Sequence, residues 1–178
     1  MKIAVVCCSL NPDSRSAALA EHLRTPLTDA GAEIDWIDLR ETPLPFCDGA
    51  AAYADPAVSA VAQRLSAADA VILAVPIYNY DVNAAAKNLI ELAGNTLTGK
   101  VIGLVCSAGG RGSYMSAGGI TASLMLDFRC WVVPRFVYAD DADFADDDKT
   151  ITVPDALVKR LYALATETLR AAAALGSE

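Results

Sequence analysis

With His22 as its single histidine, the chain has few routes to general-base or metal chemistry. Triads that place an imidazole between a nucleophile and a carboxylate, and metal sites of several imidazoles, are hard to build from one histidine. His22 falls within a helical pattern and reads as a surface or satisfied side chain. Cysteine is sparse and badly spaced for zinc or redox work. Cys7, Cys8, Cys47, Cys106 and Cys130 are odd in number and form no C-x-x-C pair. Three lie in or beside apolar runs, so reduced, buried thiols in a reducing compartment are expected. No apolar run reaches the ~18 residues of a membrane span. Met1 to Cys8 is too short for a signal peptide and lacks its cleavage pattern, so a cytoplasmic location is the default expectation. A basic stripe is missing too: 14 Lys and Arg against 22 Asp and Glu give a net charge of -8, which argues against a nucleic-acid partner. Nor is there a Walker loop, and Gly110-Arg111-Gly112 is followed by Met115 where G-x-G-x-x-G needs glycine. Triphosphate hydrolysis and the dinucleotide fingerprint both lose ground.

What remains is a folded α/β pattern. A chain of 178 residues, 54% hydrophobic and 20% charged, fits one domain, 1–178, able to bury a core without disulfides or metals. Four continuous apolar runs, Ile3 to Cys8, Ala70 to Val75, Val101 to Cys106 and Trp131 to Val137, read as strands covered on both faces. Glu33 to Leu39 is weaker and reads as peripheral. Pro134 cannot donate to a ladder, which puts the last strand at an edge. Helical stripes fill the gaps. They are Leu19, Leu23 and Leu27; Val58, Val61, Ala62 and Leu65; Ala84 to Ala93; roughly Tyr114 to Phe128; and Leu157, Leu161, Leu164 and Leu169 behind Pro154. Strand and helix alternate, which predicts a doubly wound α/β fold: a five-stranded parallel sheet of order 2-1-3-4-5 with helices on both faces. Asp140, Asp141, Asp143, Asp146, Asp147 and Asp148 lack the spacing of a calcium loop and read as a solvated acidic loop.

In such folds ligands sit beyond the carboxyl ends of the strands. After the first strand, Ser9-Leu10-Asn11-Pro12-Asp13-Ser14-Arg15-Ser16 presents hydroxyls, an amide and a guanidinium where a helix begins. That suits a phosphate, and it equally suits a plain cap by Ser14 or Ser16. After the third strand, Pro76-Ile77-Tyr78-Asn79-Tyr80-Asp81 offers an aromatic wall for a planar heterocycle, or an ordinary turn. After the fourth, Ser107-Ala108-Gly109-Gly110-Arg111-Gly112-Ser113-Tyr114 lets backbone approach a ligand closely, or is simply a flexible loop. All three fall on one rim of one sheet, and the convergence favours a single site.

The pattern resembles the NADPH-dependent FMN reductase family, a branch of the flavodoxin-like fold. Cys8 to Ser16 is similar to that family's G-S-x-R-x-x-S or G-S-x-x-x-P-S-R-S phosphate loop. Pro76-Ile77-Tyr78-Asn79 with Lys87-Asn88 is similar to its P-x-Y-N motif and following Lys-Asn, and Ser107-Ala108-Gly109-Gly110 to its isoalloxazine loop. The resemblance is nearest the reductases that feed two-component monooxygenases, with quinone- and azo-type reductases as neighbours; Tyr138-Ala139-Asp140-Asp141 adds to it. Cys8 replaces the usual glycine and Asn11 the frequent arginine. Ile77 stands where many quinone and azo reductases carry glutamate, and Asp81, Asn83 and Ala84 depart from S-x-P-G.

The resemblance implies FMN as cofactor, NADPH or NADH as hydride donor, and no side chain acting as acid, base or nucleophile. Ser9, Asn11, Ser14, Arg15 and Ser16 would hold the phosphate. Pro76, Ile77, Tyr78 and Asn79 would flank the ring and ribityl chain, with Ser107, Ala108, Gly109 and Gly110 opposite. Arg111 and Tyr114 would meet nucleotide or substrate. Electrons would pass to free flavin, a quinone or another small acceptor, or by way of reduced flavin to a flavin-dependent monooxygenase. A homodimer or homotetramer is implied, in which a neighbouring subunit covers the ring. Two other readings stay open: a single-electron carrier whose negative charge suits basic partners, and a flavin-free binding module of the same fold.

Overall fold

The structure is a computed structural model and describes residues 1–147 and 150–175. Its centre is made by the uninterrupted apolar runs. These become β1 (Lys2–Cys7), β2 (Glu33–Asp38), β3 (Ala70–Tyr78) with a short β4 (Asp81–Val82), and β5 (Val101–Ala108). β1 lies parallel between β2 and β3, and β3 lies parallel to β5. Every residue of β5, and of β3 up to Ile77, is buried, as strands covered on both faces must be. β2 is an edge and buries only its last two residues.

The helices are α1 (Arg15–Glu21), α2 (Arg24–Asp29), α3 (Pro56–Ala67), α4 (Ala84–Ala93), α5 (Ala117–Leu126) and α6 (Asp155–Leu175). Side chains alternate across the pleat, so β1 sends Ala4 and Val6 towards α3, α4 and α5, and Ile3 and Val5 towards α1, α2 and α6. Each leucine buried completely in these layers, such as Leu19 or Leu161, contributes roughly 1.5–3 kcal/mol. Among the described residues no helix is long and apolar enough to cross a membrane.

Two expected elements are broken, each at a proline. The leucine stripe at 19, 23 and 27 is buried throughout, yet its helix splits into α1 and α2, with His22 N–H and Leu23 N–H reaching back to Leu19 and Ala20. Pro26 has no N–H for the carbonyl of His22, and its ring crowds that carbonyl. The last expected strand becomes β6 (Trp131–Val132) and β7 (Val137–Asp140), both parallel to β5 at the edge. Between them Val133, Pro134, Arg135 and Phe136 stand against only Gly103 and Leu104, so the excess bulges outward around Pro134. The sheet order β2-β1-β3-β5-β6/β7 is therefore the expected winding, with seven strands once β4 and the divided edge are included. Beyond it, β8 (Ala145–Asp147) and β9 (Thr150–Thr152) pair antiparallel as a separate sheet.

β3 and β5 run further than their apolar cores, so Pro76, Ile77, Tyr78, Ser107 and Ala108 are strand ends rather than loop. β3 then turns tightly. Tyr78 pairs with Asp81, and the two linking residues, Asn79 and Tyr80, have φ of 52° and 67°. Such a two-residue hairpin needs left-handed backbone at both positions, which asparagine tolerates and tyrosine does not. Tyr80→Gly is expected to stabilise the protein by about 0.5–1 kcal/mol, raising Tm by about 1–4 °C. An unchanged or lower Tm in a calorimetric scan would show that Tyr80 gains elsewhere what it loses in its backbone.

The five cysteines are all free, and only Cys47 is not buried. Burial pushes the thiols of Cys7 and Cys106 up to about 12 and raises Cys8 as well. One thiol should therefore react promptly with an aromatic disulfide reagent in the native protein, and five after denaturation; a second fast thiol would contradict this packing.

Candidate functional site

The carboxyl ends of β1, β3 and β5 open into a cavity of about 770 Å³. On the β1 side, Ser9, Ser14 and Ser16 are all buried yet line it. Ser9 Oγ accepts from Asn11 N–H at 3.2 Å, and Asn11 Oδ1 accepts from Asp13 N–H at 3.0 Å, so the loop folds on its own side chains. Ser14 is the cap of α1, accepting from Ala17 N–H at 3.1 Å, and its hydroxyl also meets Ser16 Oγ at 3.0 Å. The capping reading is thus observed, and the same hydroxyls face the cavity.

This loop is braced from β2. Asp38, buried at the end of that strand, holds the Arg40 guanidinium at 2.5–3.1 Å, and Arg40 Nη1 donates to the carbonyl of Pro12 at 3.1 Å. The Arg40 hydrogen bonds keep the Asp38 carboxyl below its ordinary range despite burial. A depressed carboxyl contributes stability that is present above its unfolded value, roughly 4, and is lost as pH falls through the folded one. The stability gap between wild type and Asp38→Asn, measured by urea unfolding, should be widest near pH 7 and close towards pH 3. A gap independent of pH would mean that the ion pair does not brace the loop.

On the β3 side, Pro76 and Ile77 form the wall, Tyr78 stands half exposed, and Asn79 opens the turn; all four line the cavity. Cys8 N–H bonds the carbonyl of Ala74 at 2.9 Å, so the next donor due on that side of β3 is residue 76. Pro76 has none. Asn83 Nδ2 fills the place, donating to the carbonyl of Cys8 at 2.7 Å, while Asn83 N–H bonds that of Pro76 at 3.0 Å. The Oδ1 of Asn83 is buried with no partner among the described residues. Asn88 of the Lys-Asn pair does not line the cavity; it clamps the loop after β2, bonding Cys47 N–H at 2.8 Å and the carbonyl of Pro45 at 2.9 Å.

On the β5 side, Ser107, Ala108 and Gly109 line the cavity. A Cβ added at Gly109 would meet only Asp141 Oδ2, at 4.0 Å, so bare backbone borders open space. Gly110 is not part of the lining; its carbonyl accepts from Tyr138 Oη at 2.6 Å. Burial, then Asp140, raises the Tyr138 phenol above its usual value, so it stays a donor. Arg111 and Tyr114, expected to meet substrate, are also outside the lining. Arg111 turns to Asp140 at 2.9 Å and Asp143 at 3.5 Å, and Tyr114 packs on Phe136 and Tyr138 with ring centroids 5.2 and 5.3 Å away.

Asp13, Asp141 and Ile151 complete the cavity; none was expected at the site, although Asp13 stands in the first loop and Asp141 in the acidic stretch. Asp141 is ion-paired with Arg15, whose guanidinium lies over the Phe144 ring at 5.2 Å. It follows the carboxyl end of β7, so strand-end logic reaches it once β7 is seen to end at Asp140 rather than Val137. The acidic stretch is correspondingly not a uniformly solvated loop. Asp140 is buried and caps the next turn together with Asp143, with Arg111 balancing their charge. Asp146 and Asp147 lie in β8, and Asp148 is outside the described residues.

A doubly wound parallel sheet with its cleft at the strand ends defines a flavodoxin-like α/β protein. Oxidised flavodoxin 1 of Bacillus cereus aligns over 96% of this chain and 98% of its own, with a TM-score of 0.67 and 17% identity. FerB, a flavoenzyme NAD(P)H:(acceptor) oxidoreductase of Paracoccus denitrificans, aligns over 98% of each chain with a TM-score of 0.77 and 21% identity. Sequence carries the assignment further: the profile described as NADPH-dependent FMN reductase matches residues 1–144, and the chain belongs to that family. A NAD(P)H-dependent FAD/FMN reductase of Geobacillus thermodenitrificans (strain NG80-2) is 29% identical over 140 residues, 77% of this chain and 74% of that protein. The donor set fits FMN. Buried hydroxyls with an arginine suit a phosphate, an exposed tyrosine suits a ring face, and Gly109 leaves bare backbone where a Cβ would project.

Proposed function

We propose that the chain, acting as one domain, binds FMN in this cavity and catalyses hydride transfer from NADPH or NADH to a small acceptor such as free flavin or a quinone. The observation carrying this is convergence. Thirteen residues, drawn from three strand ends far apart in sequence, line one cavity of a size usual for cofactors. Arg15 with Ser9, Ser14 and Ser16 would hold the phosphate, and Asn11 and Asn79 would meet the ribityl chain. Tyr78 and Ile77 would cover one face of the ring, with Ser107, Ala108 and Gly109 at its edge. FMN bound there supplies the capacity to take up and release hydride. The protein's own work is to orient the ring and keep one face open. No cysteine is among the described residues that line the cavity.

An uncharged helix with exposed apolar residues, α5, supports association with a second copy of the chain. α5 carries no charged residue from Ala117 to Leu126, yet Gly118, Gly119, Ala122, Met125 and Leu126 are exposed, and Met115 precedes them at 69% exposure. A helix apolar on all sides calls for a partner. Five free thiols support a reducing compartment, the cytoplasm.

The test is to add FMN to purified protein and follow visible absorbance and flavin fluorescence, then mix anaerobically with NADPH or NADH. Saturable quenching and bleaching at about 1 s⁻¹ or faster are expected. Gly109→Val, whose side chain grows towards the cavity, should lose at least about tenfold in FMN affinity while keeping its far-ultraviolet circular dichroism. Bleaching too slow for turnover would indicate a single-electron carrier, and failure to bind FMN a flavin-free module.

A further inference from the structure

The Asp141 carboxylate shares the cavity with the three buried serine hydroxyls and makes an ion pair with Arg15. Arg15 is the more enclosed of the two, and the Asp141 side chain is 55% exposed on a backbone fixed by its turn. Arg15 has a side chain only 25% exposed and lies over Phe144. Asp141 opens a capped turn in which Asp140 Oδ1 accepts from Ala142 N–H at 3.0 Å and Asp143 Oδ2 from Asp140 N–H at 2.9 Å. Its Oδ2 lies beside the bare backbone of Gly109. A second carboxylate, Asp13, lines the same cavity. The guanidinium best placed to receive a ligand's phosphate therefore already faces a fixed anion of the chain's own.

We propose that Asp141 determines the flavin specificity of the site, competing with the 5′-phosphate for Arg15 and so narrowing the preference for FMN over unphosphorylated flavin. This rests on the FMN reading above. A phosphate monoester brings about 1.5–2 negative charges at neutral pH. Next to Asp141 it meets both repulsion and a guanidinium already engaged, and it must share or displace that contact. Riboflavin has the same ring and ribityl chain without the charge and meets neither penalty. The consequence is a weakened hold on FMN, suited to a flavin that enters and leaves as a substrate rather than one held through many turnovers.

Fluorescence-quenching titrations of wild type, Asp141→Asn and Asp141→Ser with FMN and with riboflavin test this. Glu91→Gln, which removes a carboxylate on α4 paired with Lys87, controls for net charge. Both Asp141 variants should bind FMN about three- to tenfold more tightly, with riboflavin within about twofold of wild type and Glu91→Gln unchanged for both. Circular dichroism confirms folding, and the serine variant, which keeps a turn-forming side chain, stands in should the asparagine variant misfold. Unchanged or weaker FMN binding would overturn the proposal and make Asp141 a support for Arg15. Equal tightening of both flavins would also overturn it, since the gain would not concern phosphate. If wild type binds neither flavin, the FMN reading falls and takes this proposal with it. If wild type binds FMN and the variants bind it no better, only this proposal falls.

Discussion

A missing hydrogen-bond donor governs the carboxyl edge of the sheet. β1 and β3 stay in register through Cys7 and Ala74, and the ladder then reaches Pro76, which has no N–H to offer the carbonyl of Cys8. A buried carbonyl left bare costs about 1–3 kcal/mol. Asn83 prevents that loss, and in doing so ties the start of α4 to the end of β1. The strands can therefore part at this level with the Cys8 carbonyl satisfied, and the polar atom left without a partner among the described residues is Asn83 Oδ1. β1 leaves as the serine-rich loop, β3 continues into its hairpin, and the space between becomes the cavity. Asn83 stands where the family's motif carries proline. Here the side chain, rather than a fixed φ, secures the hairpin to the first loop.

The layers were legible because burial on two faces leaves a simple mark. Ile3 to Cys8, Ala70 to Val75 and Val101 to Cys106 contain no charged residue, and a strand between two helical layers admits none. The strand-end rule then led to Ser9, Tyr78 and Gly109 without any coordinate. What could not be read were features that depend on registers rather than on composition. The split of the edge strand needs the offset between Ile102–Val132 and Val105–Val137, which Pro134 hints at but does not quantify. β4 is two residues long, below the reach of any periodicity.

Charge was the hardest level to read from the chain. A run of aspartates after the last strand suggests solvation, yet Asp140 is among the most buried polar residues and Asp141 turns into the cavity. Arg111 in a glycine-rich loop suggests a hand held out to substrate, yet it is drawn back by Asp140 and Asp143. Both outcomes have one cause. Folding brings a cation and a carboxylate together, and the separation of 29 residues between Arg111 and Asp140 conceals such a pairing in the sequence.

The distribution of these pairs follows the sheet. The ends of β3 and β5 supply apolar walls, a hydroxyl and bare glycine with no formal charge, and the loop after β1 adds three serines together with Asp13 and Arg15. The flanking strands supply the acids that hold arginines in place. Asp38 ends β2 and fixes Arg40 against the first loop; Asp140 ends β7, and with the residues just after it fixes Arg15 and Arg111. Both carboxylates are buried, and each is offset by the guanidinium it holds, Asp38 by Arg40 and Asp140 by Arg111, which a buried charge requires. Arg15, the arginine of the cavity lining, is thus paired from the β7 side by Asp141, while Arg40 braces the first loop from the β2 side. Shape thus comes mostly from the middle of the fold, and the carboxylates that fix its arginines come from the margins of the sheet.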